Sequence, residues 1–273
     1  MKQRLPAAIV AGLCLLLLLG AALVAPEHLP DKVPDLKWAG PSQLPPFGAD
    51  DGGRSLLDYA TQGARVVAVP SIVAGLVVAA FATLGGVLRA MGVGWFDRVL
   101  QAGGEVVGAL PRMVVILVVA LVTPDEWRGL LPLAVTWALL SAPGAMDEAA
   151  AVAERLGGAR FVEALRAHGY SASRVYLYHI VALNLRPVVV RQAAEVMMQV
   201  VFLEIGLSYI AEEENQADFT HPANLKSWAN LLKLGYASLV VDVPSGHALA
   251  LGVGLIGVIA VMSLALGRAV RAR

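Results

Sequence analysis

Arg191, Glu195 and Gln199 recur at four-residue spacing, with Gln192 adjacent, inside an otherwise apolar stretch from about Val188 to Ile210. On a helix that spacing places the three in one stripe. Charged groups at membrane depth are costly and face a bundle interior or a water-filled path. Two readings follow: Arg191 and Glu195 satisfy each other, or the stripe lines a path for a solute or a proton. Glu204 is expected near the outer end of the stretch, at an interface.

A second constellation is the segment ARFVEALRAHG, Ala159 to Gly169. Phe161, Ala164 and Leu165 share a face at helical spacing. Arg160 and Glu163 can pair at i,i+3. Gly169 can follow the helix with φ > 0, and Ser171 can cap a next helix that starts near Ala172. A helix this short is marginal alone in water. The pattern suits either an amphipathic connector resting on its own bundle or a docking helix that fits a groove on a soluble partner.

Other chemistries find no residues. No phosphate-binding G-x-x-x-x-G-K-[ST] is present. Gly85-Gly86 and Gly103-Gly104 lack the lysine and the strand, and read as packing glycines. The five histidines have no metal spacing. G-x-S-x-G is absent, so Ser141 is no nucleophile. The single cysteine, Cys14, excludes a disulfide framework within the chain. The expectation is a non-enzyme with no metal and no cofactor of its own.

The elements that must position these groups follow from composition. Of 273 residues, 58% are apolar and 15% charged, and mean hydropathy is +0.68. Soluble domains carry roughly 45–50% apolar and about 25% charged residues. The net charge is zero, which leaves no basic excess for nucleic acid. A helix needs about 20 mostly apolar residues to cross a bilayer. Six runs qualify: about 5–25, 66–88, 106–122 (interrupted by Arg112), 130–146, 188–210 and 248–266. The fold class is therefore an all-α polytopic membrane protein, one domain over 1–273, in contact with the lipid bilayer. Arg112 is expected near the inner end of its helix, with its charge snorkelling to the surface.

The first run has a second reading. Met1-Lys2-Gln3-Arg4 and Leu23-Val24-Ala25 resemble the ends of a signal peptide. The run is longer than a typical signal core, and Pro26 would follow the cut, so a retained helix is expected. Basic residues favour the cytoplasmic side. Lys2 and Arg4, Arg155 to Arg174, and Arg268 to Arg273 then place both termini and the long loop 147–186 inside. The external loops are 26–65 and 211–247. The second of these is acidic at Glu212-Glu213-Glu214 and Asp218, with a short helix near Trp228 to Leu234.

The stretch FVEALRAHGYSASRVYLYHIVALNLRPVVV, Phe161 to Val190, resembles the "EAA loop" of permease subunits of bacterial ABC importers. The nearest group is the dipeptide, oligopeptide and nickel permeases. Glu163, Ala164 and Gly169 fall in the register of that loop, and His179-Ile180 follows. FGADDGGRSLLDYATQGARV, Phe47 to Val66, resembles the segment before that group's second helix. WFDRVLQAGGEVVGALP, Trp95 to Pro111, resembles the segment leading into its third. The three stretches come in the group's order. Leu165 departs from the second alanine of the loop, and Val181-Ala182 stands where Leu-Pro is usual.

The resemblance implies an ABC importer permease fold whose cytoplasmic loop helix couples to a motor. Arg160, Phe161, Glu163, Ala164, Leu165 and Gly169 would be the coupling positions, and Arg191, Glu195 and Gln199 a translocation path. It implies two ATP-binding subunits that carry ATP and magnesium, a second homologous permease and an extracytoplasmic solute-binding protein, in a bacterial inner membrane. Closure of the ATP-binding pair would tilt the bundle between inward- and outward-open states. Peptide is the group's usual solute, with nickel or another small ligand open. An ion-coupled secondary transporter that uses the Arg191/Glu195/Gln199 stripe is the main alternative. A membrane scaffold or an intramembrane enzyme is a third, and the enzyme lacks a catalytic set.

Overall fold

The computed structural model describes residues 4–28, 30–90, 94–157, 160–171, 174–210, 225–240 and 246–270. Apolar runs with internal backbone hydrogen bonds give helices almost throughout. They are α1 (Arg4–Val24), α2 (Leu56–Gly63), α3 (Val69–Ala90), α4 (Gly94–Ala109), α5 (Arg112–Val122), α6 (Leu130–Gly157), α7 (Arg160–Ala167), α8 (Arg186–Ile210), α9 (Trp228–Val240) and α10 (Gly246–Val270). π-helical turns join α2 to α3 over Ala64–Ala68 and lead into α8 over Val175–Leu185. Among the described residues the one β pairing is an isolated bridge between Ala49 and Ser55.

Among the described residues, four helical stretches are long and apolar enough to cross a membrane: Leu5–Val24, Leu56–Leu88, Leu130–Leu156 and Gly246–Val270. A fifth candidate is a bent pair, Gln101–Ala109 with Arg112–Val122, which turns through 80°. The protein is thus a multi-pass, all-helical membrane protein. The six straight crossings read from the sequence are not all found. The run expected over 106–122 breaks at Leu110 and Pro111, because proline has no N–H to donate and forces its predecessor out of the α region. The helix at 186–210 is long enough, but Arg191, Glu195 and Glu204 keep it too polar to stand among the apolar spans.

Other boundaries move for one shared reason: the end of an apolar run is not the end of a helix. α6 continues past Met146 to Gly157, because Asp147 to Arg155 is rich in alanine and glutamate, both good helix formers. The helix that contains α3 begins ten residues early, at Leu56. The loop expected over 147–186 therefore shrinks to α7 and its flanks. Several earlier expectations lie outside the described residues: those on Lys2, Ala172, Glu212 to Glu214, Asp218, Arg271 and Arg273, and on the side chains of Arg4 and Phe161.

The core is built from small side chains. Ala74, Val78 and Ala82 of α3 are fully buried against Ala134, Ala138, Ala145, Ala149 and Ala153 of α6. Such stripes let backbones approach, and packing rather than water exclusion holds helices together in lipid. A Cβ on Gly85 would lie 2.7 Å from Met146 Cβ, and one on Gly86 2.6 Å from a Leu185 methyl. α8 packs on α3, α6 and α10, while α1 lies along α10. α4 and α5 lean on α6. Ile116 and Ala120 of α5 meet Leu133 of α6 and Leu203 and Leu207 of α8.

Candidate functional site

α7 hangs at one end of the bundle, between the last turn of α6 and the π-helical turns that lead into α8. Its buried anchor is Val162, 1% exposed, and it packs on the π-helical segment alone among its stronger neighbours. This corrects the expected face: Val162 points inward, Leu165 is half-buried, and Ala164 is exposed along with Arg160 and Glu163. No ion pair joins Arg160 to Glu163 among the described residues. Both charges are left facing outward.

The end of α7 follows the sequence closely. Gly169 takes φ +80°. Its N–H bonds to Arg166 O at 2.9 Å, and Tyr170 N–H bonds to Leu165 O at 3.1 Å. That is the paired closure of a Schellman motif, which a residue with a Cβ enters at a cost. Beyond it, Arg174 lies 4.9 Å over the Tyr170 ring. The His179 ring meets Tyr170 edge-on at 5.9 Å and Tyr178 at 5.1 Å. Asn184 Nδ2 donates to His179 O at 2.6 Å. The angle between α7 and the chain entering α8 is therefore held by a glycine and an aromatic cluster together.

The polar stripe of α8 lies against α6, and its partners differ from those expected. Arg191 pairs with Glu148 of α6, not with Glu195, and Gln192 donates to the other oxygen of the same carboxylate. Farther along, Trp137 Nε1 donates to Gln199 Oε1 at 2.9 Å, and Gln199 Nε2 donates to Glu195 Oε1 at 3.3 Å. Glu195 itself is exposed. The three stripe residues thus belong to one face, of which Arg191 and Gln199 are engaged across the α6–α8 seam. Glu204 is fully buried, with Ser208 Oγ donating to it at 3.1 Å, and Lys233 of α9 reaches the Ser208 carbonyl. Arg112 is exposed at the bend between α4 and α5.

Because α6 enters α7 and α8 leaves it, the Glu148–Arg191 contact ties together the two arms that hold α7. Reversing either charge alone should lower the thermal midpoint in detergent. The double swap, Glu148→Arg with Arg191→Glu, should restore most of it, with a coupling of about 1 kcal/mol. Additive single effects would show that the pair carries nothing.

At the opposite end, the Phe47 to Val66 segment folds around Asp50, which is 1% exposed. Asp50 Oδ1 accepts from Gly52 N–H at 2.8 Å and Arg54 N–H at 2.7 Å, and Oδ2 accepts from Tyr59 OH at 2.5 Å. Ser55 caps α2 by accepting from Leu57 N–H at 3.2 Å. Arg65 Nε donates to Ala22 O at 3.1 Å and so ties α1 to the π-helical turn.

The chain matches no family model and no curated protein. Function therefore has to be argued from the residues. Sequence reading missed Glu148, Trp137, Val162 and Asp50. Glu148 sits just past an apolar run, where a second charged residue after Asp147 marked an exit from lipid and not a partner. Asp50 is half of an Asp-Asp pair, and its D-x-G-x-R spacing is a turn signal that could have singled it out. No group of three His, Cys, Asp or Glu comes together among the described residues.

Proposed function

We propose that this chain is a transmembrane permease subunit of an ATP-driven importer and forms half of a translocation path for peptides or a similar small solute. One observation carries the reading. α7 is a short helix whose buried anchor among the described side chains is Val162, with Leu165 half-buried; it is ended by Gly169 and presents Glu163, Ala164 and Arg160 outward at the end of the bundle. A helix that its own chain barely covers suits seating in a groove on another protein. The ordered likeness of three segments to importer permeases supports the same reading.

The chain has no phosphate loop, so ATP would be hydrolysed on two partner subunits. A second permease would complete the path, and a binding protein would deliver solute at the end that carries Asp50 and α9. The α7 end would face the cytoplasm of a bacterium, with both termini on that side. The stroke would pass from α7 into α6 and α8 together, through the Schellman turn, the His179 cluster and the Glu148–Arg191 contact.

The test is Glu163→Arg in the assembled transporter. Stimulated ATP hydrolysis and solute uptake should both fall at least about tenfold, the scale for reversing a charge at a docking surface. The thermal midpoint of the isolated chain should not move, because Glu163 is exposed. Unchanged uptake would overturn the docking role. Uptake down an ion gradient by the chain alone, reconstituted without any other protein, would overturn the ATP-driven reading as a whole.

A further inference from the structure

On two opposite faces of the α1–α10 pair runs an apolar groove with an arginine on its wall. The first groove lies among α1, α3, α8 and α10 and encloses about 450 Å³, within the range of small-molecule sites. Its walls are low where Gly12, Ala79 and Ala193 line it, while Met197 packs over Gly75. A Cβ on Gly12 would meet nothing within 4 Å. Arg186, the first residue of α8, stands on the same lining and is exposed. The second groove, about 610 Å³, lies between Pro6 and Val10 of α1 and Val261 and Leu264 of α10, with Arg268 on its wall.

Neither arginine has a hydrogen-bonding or ionic partner among the described residues. Both sit at the end of the bundle that carries α7, since α8 starts and α10 finishes there. A guanidinium at the end of a membrane span reaches the headgroup layer, where an anion can meet it. The shape asks for hydrocarbon along the slot, and the charge asks for a phosphate at its end. Basic pockets between transmembrane helices take anionic headgroups on this principle.

We infer that the groove of Arg186 is a binding site for an anionic phospholipid, with one acyl chain along Gly12, Ala79 and Ala193 and the headgroup phosphate on Arg186. The Arg268 groove offers the same chemistry on the other face of α1. The bound lipid fills the seam between α8 and the α1–α10 pair, so it meets the helix that follows α7. The inference needs only a membrane-embedded chain and is independent of the ATP-driven reading.

Native mass spectrometry of the delipidated full chain tests it, with phosphatidylglycerol and phosphatidylcholine of matched acyl chains titrated back. Wild type should hold phosphatidylglycerol more tightly. Arg186→Gln should weaken that binding roughly fivefold, the factor for one basic group of about 1 kcal/mol near an anionic lipid. Arg186→Lys should keep most of it. Gly12→Phe, which fills the slot, should weaken both lipids. Arg112→Gln, an exposed arginine at the α4–α5 bend, should change nothing. The inference fails if Arg186→Gln binds phosphatidylglycerol as wild type does, if Arg112→Gln loses as much, if wild type does not discriminate between the lipids, or if inorganic phosphate displaces the bound lipid.

Discussion

Asp50→Ala should lower the stability of the chain in detergent by about 3 kcal/mol, whereas Asp51→Ala next to it should cost less than about 0.5 kcal/mol. The two aspartates are adjacent and differ in what they touch. Asp51 is exposed, while Asp50 is 1% exposed and accepts three hydrogen bonds. Alanine would leave the Gly52 and Arg54 N–H groups and the Tyr59 hydroxyl without their acceptor in a site with little water. Asp50→Asn should recover most of the loss. Its carbonyl oxygen can still take both N–H groups, and the Tyr59 hydroxyl can turn from donor to acceptor for the new amide. Tyr59→Phe should fall between, at about 1 kcal/mol, since it removes one donor and keeps the turn. Gly53 belongs to the same turn. It has φ +77° and lies so close to the Val33 carbonyl that a Cβ would stand 1.8 Å from the oxygen. Thermal unfolding of the four variants in one detergent decides the matter. Equal midpoints for Asp50→Ala and Asp51→Ala would remove Asp50 from the centre of this turn.

What the sequence made legible, and what it hid, divides along a physical line. Local rules read well. Gly169 takes the left-handed conformation that its place after a short helix called for, and Trp228 opens a helix as expected, although that helix runs on to Val240. The apolar runs located the spans because lipid selects them by hydropathy. Their ends were misplaced because alanine- and glutamate-rich sequence extends a helix into water without a break, as α6 does to Gly157. Partnerships across helices were hidden. The i,i+4 spacing of Arg191 and Glu195 suggested a pair on one helix, but the face they share turns Arg191 toward Glu148, and which carboxylate lies opposite depends on how α6 and α8 are rotated. Glu204 shows the same limit. Its place near a helix end suggested an interface, yet it is fully buried and accepts from Ser208 one turn on. The bend at Pro111 was missed, because the run 106–122 was read as one crossing by its hydropathy, and its 80° angle comes from where α4 and α5 find packing.

Gly63→Ala should be among the most damaging single-methyl additions this chain can receive, at about 3 kcal/mol. A Cβ at Gly63 would stand 2.1 Å from Trp228 Cδ1 and 2.3 Å from its Nε1, so something must shift. The indole cannot shift cheaply. Trp228 is fully buried, and its N–H donates at 3.1 Å to Ala60 O, on the same helix as Gly63. Gln62 pins the approach from the other side by accepting from Lys226 N–H at 3.1 Å. Helix propensity alone would make glycine-to-alanine favourable by roughly 0.5–1 kcal/mol inside a helix. Gly103→Ala on α4 should show that sign, since a Cβ there meets nothing within 4 Å. The same exchange should thus stabilise at one helical glycine and destabilise at the other, which separates a packing cause from a backbone one. Trp228→Ala should itself cost about 3–5 kcal/mol through the cavity it opens. In that background Gly63→Ala should become nearly neutral, because the atoms it collides with are gone, and the two changes should be strongly non-additive. A Gly63→Ala chain as stable as the Gly103→Ala chain would mean that α2 and α9 do not meet through this contact. The end of the bundle opposite α7 would then have to be held by the Asp50 turn and the Arg65–Ala22 and Gln62–Lys226 hydrogen bonds.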